Sequence, residues 1–199
     1  MTRTTIIFAC ILCASLVFFG RSVRRLVVNL RLGKAENRFR SPGMRMRNVL
    51  AIAFGQSKLL REPLAGILHA LIFWGFVVLL SAVAESIGEG LIPGFSFAFL
   101  GPLYAPLAFL GDLFGTCVVV AVLVSIARRL FAPPPRLRVT GHAKWDAVLI
   151  LCLILAVMVT MFGQNAARAA MGHGTVNGAR FIATLLAPLF AGESASTWF

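Results

Sequence analysis

The chain has 199 residues, of which 59% are hydrophobic and only 13% charged, and its mean hydropathy is +0.88. Soluble domains hold about 45–50% apolar residues, so a soluble globular body is excluded and an integral membrane protein is indicated. The net charge of +12 does not point to nucleic acid, because the basic residues fill the gaps between apolar runs rather than forming a patch interleaved with base-stacking aromatics.

A helix needs roughly 20 apolar residues to cross the hydrocarbon core. Residues 5–20 (TIIFACILCASLVFFG) give a first, slightly short span, with Arg21 able to snorkel at its end. No small-residue cleavage site leading into a soluble body follows it, so it is read as a retained helix. Arginines 21, 24, 25 and 31 then alternate with Leu26, Val27, Val28, Leu30 and Leu32. That pattern predicts a helix continuing into the headgroup region and lying partly along it. Ser41-Pro42-Gly43 is a turn signal, and residues 44–56 form a mildly amphipathic piece. The second span is predicted over residues 64–86, introduced by Glu62-Pro63, with proline where its missing N–H costs least. Residues 88–106 (GEGLIPGFSFAFLGPLYAP) are an apolar connector broken by glycine and proline. The third span is predicted over residues 107–127, followed by the stiff run Pro133-Pro134-Pro135. The fourth runs over residues 145–163, with Trp145 at interfacial depth. Residues 181–191 are apolar but too short to span, with Pro188 inside, and are expected to lie in the interface.

Charge placement orients these spans. Eleven basic residues lie between spans one and two, and five more between spans three and four, out of 19 in the chain. Only Arg3, Arg168 and Arg180 fall on the other side. The positive-inside rule then places the N-terminus outside and both basic loops in the cytoplasm.

Ionisable groups inside spans are expensive and so are candidates for function. His69 (LHALIFWGF) sits near the cytoplasmic start of the second span. A neutral imidazole there suits an axial position on haem iron, or it is an interfacial histidine bonded to a neighbouring helix or headgroup. Gly66 and Gly75 would leave room for a flat macrocycle, and Arg61 and Lys58 lie where they could meet its propionates. Asp112 (FLGDLFG) is either a proton- or quinone-site residue or an acid paired with a neighbour. Glu85 and Glu89 share a helix face at the outer end of the second span and are either proton acceptors near a quinol site or solvated end charges. Asp146 suits a helix N-terminus. His142 and His173 read as solvated loop histidines. The cysteines Cys10, Cys13, Cys117 and Cys152 all lie in apolar runs. Cys10 and Cys13 form a CxxC without the following histidine of a c-type haem site, and all four read as small buried hydrophobes. Signatures for hydrolysis or phosphoryl transfer are absent.

The segments LGKAENRF, GQSKLLREPLAGILHALIFWGF, IPGFSFAFLGPLY, GDLFG and WDAVLILCLILAVMVT cover residues 20–165 in order. Together they resemble the N-terminal membrane part of bacterial heterodisulfide-reductase-related, iron–sulfur-binding membrane oxidoreductases, which is similar to the nitrate reductase gamma subunit. The resemblance implies an all-α, integral membrane helical bundle of five helices that holds haem b between histidines of the second and fifth. It implies electron transfer between membrane quinone and iron–sulfur clusters of a cytoplasmic domain, in the bacterial inner membrane. His69 matches the second-helix ligand. The chain departs from the pattern in offering one histidine on that helix and in lacking, within residues 1–199, the fifth helix and the cysteine clusters. It is therefore expected to be a membrane domain truncated before its fifth helix, with the iron–sulfur clusters in the absent C-terminal region or in a partner. The competing expectation is a cofactor-free scaffold whose basic loops dock a cytoplasmic partner or anionic lipid. A transporter is disfavoured, since no repeat or paired discontinuous helices are visible.

Overall fold

Where water is excluded, backbone N–H and C=O groups must be satisfied within the segment itself, and long apolar runs close into helices. The computed structural model describes residues 3–33, 41–132, 142–172 and 179–192, the side chains of 142–144 excepted. Among these residues there are helices and no strands. Four helices are long and apolar enough to cross a membrane, as the hydropathy pattern predicts.

Helix α1 spans Arg3–Arg31 without a break. The basic stretch after Gly20 therefore continues the same rod rather than turning aside. Helix α2, Pro42–Asn48, has proline in its first turn and runs into a π-helical turn, Val49–Phe54. That turn ends at Gly55 and at Gln56, which is 2% exposed and left-handed at φ 52. A 3-10 turn at Leu59–Arg61 leads into α3, Pro63–Leu91. A second 3-10 turn, Phe97–Leu103, leads into α4, Tyr104–Phe131. It is kinked at Gly101, whose φ of 58 and ψ of −124 suit a residue without a Cβ. Helix α5 covers His142–Ala170, and the short α6, Phe181–Leu186, is followed by the 3-10 turn Ala187–Phe190. Each spanning helix is longer than its apolar run, because helical hydrogen bonding carries on into the polar flanks.

The chain divides into two compact units. The first holds residues 1–57 and 84–96. Within it, Phe8 of α1 lies against Gly90, and Phe95 folds back over Gly88, where a Cβ would collide with its ring. Ser96 donates to the Glu85 carboxylate at 3.0 Å, so Glu85 is bonded to the turn after α3 rather than only solvated.

The second unit holds residues 58–83 and 97–199. Its core is Leu79 of α3, Val118 and Val122 of α4, and Met158 of α5. Gly75 permits the α3–α4 approach, since a Cβ there would run into Val118 Cγ2. Gly115 does the same for α4 and α5, facing the Phe162 ring. The predicted interfacial segment packs back on this unit: Ala183 is buried, and the Phe181 ring lies 6.0 Å from that of Phe109.

The cysteines depart from expectation. All four are free, but Cys10, Cys13 and Cys152 are exposed and Cys117 is half-buried. A thiol is nearly as apolar as a methyl group, so on a spanning helix it needs no burial against protein.

Candidate functional site

Two polar regions lie in the second unit, at opposite ends of α4. The first is a groove of about 300 Å³ between α3, α4 and α5. His69 lies on the second turn of α3, with Ala65, Leu68 and Ile72 on the same face. Helix α4 runs antiparallel and brings Ser125, Arg128 and Arg129 from its last turns. Helix α5 closes the groove with Ala147, Ile150 and Leu151. The result is a largely apolar trough with His69, Arg128 and Arg129 among the residues that line it. Ser125 directs its hydroxyl to the Ala121 carbonyl at 2.7 Å, which satisfies it within its own helix.

The other residues predicted to join His69 have different surroundings. Gly66 is buried against the turn before α3: a Cβ there would stand 2.5 Å from Leu59 O and 2.7 Å from Leu60 Cα. The space it leaves is filled by the protein's own backbone. Arg61 is exposed on that turn and does not line the groove. The cations that do line it, Arg128 and Arg129, were counted in the sequence only as loop charges. The signal for them was depth: α3 and α4 run antiparallel, so the last turns of α4 lie level with the first turns of α3. His142 opens α5, but its side chain lies outside the described residues, as does all of His173. Among the described residues no group of three or more His, Cys, Asp or Glu could hold a metal.

The second region is closed. Asp112, 2% exposed, accepts the backbone N–H of Ile182 through Oδ2 at 2.7 Å. Ile182 is the second residue of α6, so Asp112 caps that helix from another one, satisfying a donor that helical geometry leaves open. Arg180, the residue before α6, donates to Asn165 Oδ1 on α5 and to the Tyr104 hydroxyl at 3.2 Å on α4. Thr184 Oγ1 returns a bond to the Arg180 carbonyl at 3.0 Å. Of the two sequence readings of Asp112, the geometry gives the acid bonded to a neighbour. It holds the chain's return segment onto α4 and α5.

Comparison with known proteins adds a family-level indication. The chain is 26% identical over 165 residues to the probable iron–sulfur-binding oxidoreductase FadF of Bacillus subtilis (strain 168), covering 83% of this chain and 23% of that protein. It is 33% identical over 105 residues to the EtfAB:quinone oxidoreductase of Syntrophomonas wolfei subsp. wolfei, covering 52% of this chain and 14% of that protein. The chain thus spans less than a quarter of the length of either curated relative. No protein-family profile and no solved structure matches it. Distant relatives that are named as oxidoreductases support an oxidoreductase-related family.

Proposed function

We propose that this chain is a membrane-embedded electron-transfer domain of an oxidoreductase, exchanging electrons between the quinone pool and an iron–sulfur partner through haem b bound at His69. The observation that carries the reading is the groove itself, a largely apolar space lined by one histidine and two arginines among its residues. The names of the two relatives, one iron–sulfur-binding and one a quinone oxidoreductase, supply the reaction class.

The groove offers one of the ligands such a group needs. His69 would supply an iron ligand from this face, a role that requires its neutral imidazole. Arg128 and Arg129 would meet the two haem propionates, a pairing for which guanidinium geometry is suited. Their fixed positive charge also favours the electron-rich form of whatever the groove holds. Leu68, Ile72, Ile150 and Leu151 exclude water and keep the dielectric low. Haem b, when bound, supplies the one-electron iron couple, and the protein supplies ligand, orientation and electrostatics. The closed Asp112 network has a structural role and carries no redox step. With sixteen basic residues on one side of the four spans, the groove faces the cytoplasm of a bacterial inner membrane, the side where an iron–sulfur domain docks.

The test uses the chain purified in detergent from its native membranes, with whatever subunits remain attached. A short-chain quinol is added anaerobically and the visible spectrum is followed. Quinol-driven appearance of reduced b-type bands, absent in His69→Ala, is the expected result. A preparation with no visible chromophore in either form overturns the reading and leaves the scaffold alternative.

A further inference from the structure

The last third of α1 carries a surface that the redox reading does not use. Arg21, Arg24, Arg25, Val28 and Asn29 line an open cleft of about 460 Å³ on one face of the helix. Their spacing explains the face: i, i+3, i+4, i+7 and i+8 fall within one stripe. Val23, Leu26, Val27 and Leu30 take the opposite stripe and are all exposed. No acidic residue occurs in the sequence before Glu36, so α1 itself offers these arginines no carboxylate.

Depth is set by length. The apolar run over residues 5–20 rises about 24 Å at 1.5 Å per residue, short of the roughly 30 Å hydrocarbon core. The whole of α1, 29 residues, rises about 43 Å, close to the full bilayer with its headgroups. A helix with a short apolar run draws its flanking residues inward until their side chains reach the interface. Arg21, Arg24 and Arg25 are thereby set at the level of the lipid phosphates, on one face, with the Asn29 amide beside them.

From this juxtaposition we infer a binding site for one anionic phospholipid, its phosphodiester held by Arg21, Arg24 and Arg25. Guanidinium is the group suited to that oxyanion, because its planar fork gives two parallel hydrogen bonds. Three cations for one phosphate favour a headgroup of net negative charge over a zwitterionic one, whose own ammonium would oppose them. The site differs from general attraction to a negative surface, which any exposed arginine provides. It is independent of the groove at His69 and stands or falls separately from the haem reading.

The experiment is native mass spectrometry of the full chain in dodecyl maltoside micelles doped with phosphatidylglycerol or with phosphatidylcholine. The wild type is expected to retain one phosphatidylglycerol and to release phosphatidylcholine. Arg21→Gln/Arg25→Gln should weaken retention about thirtyfold, taking a contribution of about one tenfold step or slightly less for each arginine. Arg45→Gln/Arg47→Gln removes the same charge from the exposed face of α2 and should leave retention unchanged. Both double variants keep at least nine of the eleven basic residues in that loop, so topology is preserved, and unchanged far-ultraviolet ellipticity verifies the helices. Equal loss in the two double variants would overturn the site in favour of diffuse charge. Equal retention of both lipids, or displacement of phosphatidylglycerol by inorganic phosphate at matched concentration, would overturn it as well.

Discussion

The two ends of α4 use polar residues in opposite ways. At one end, Asp112 is buried and bonded to the backbone of α6, with Arg180 donating to both Asn165 and Tyr104 beside it. At the other, sixteen residues or about 24 Å further along the helix, Arg128 and Arg129 border a concave apolar groove with His69. The first arrangement bonds most of its polar groups within the protein and so fixes structure. The second presents charge and an imidazole to a space that a ligand can enter. A buried polar residue in a membrane span is thus not by itself a functional site; what its partners are decides.

Substitution at the closed end should produce the largest loss of stability. Asp112→Ala removes the acceptor of a buried N–H and the cap of α6, at a cost of about 2–3 kcal/mol. The melting midpoint in detergent should fall, and protease should cut within residues 181–190 in the variant first. Asp112→Asn keeps a carbonyl acceptor and should lose far less; an equal loss would show that the charge, not the bond, holds α6.

A smaller effect is expected between the two ends, at the α3–α4 contact. Gly75→Ala sets a Cβ against Val118 Cγ2 and should destabilise by about 1–2 kcal/mol. Val118→Ala in the same chain should recover part of that loss, and thermal melts of the four-member mutant cycle measure the coupling. Additive losses would mean that the helices do not meet there.

Arg128→Gln/Arg129→Gln should change stability least, within about 0.5 kcal/mol, because the side chains border a cleft rather than a packed core. The same double variant should bind haem more weakly, seen as a lower haem-to-protein ratio after purification. A stability loss as large as that of Asp112→Ala would erase the distinction between the two ends.

The sequence made the spanning helices legible because hydropathy is local. All four predicted spans coincide with helices, with boundaries extended where hydrogen bonding continues into polar flanks. What it hid was pairing at a distance. Asp112 meets Ile182 across seventy residues, and no spacing rule links them. Gly66 near His69 looked like space for a ligand, whereas Leu59 and Leu60 occupy that space. His69 drew notice because a titratable side chain stands out in an apolar run. Arg128 and Arg129 were masked by being two among many basic residues at a membrane edge.

The most direct measurement is a dithionite-reduced minus oxidised optical spectrum of the chain purified from native membranes, beside His69→Ala prepared identically. Reduced b-type bands in the wild type that vanish in His69→Ala, while the helix content stays the same, are the predicted result. Bands of equal height in both, or none in the wild type, would contradict a haem site at His69.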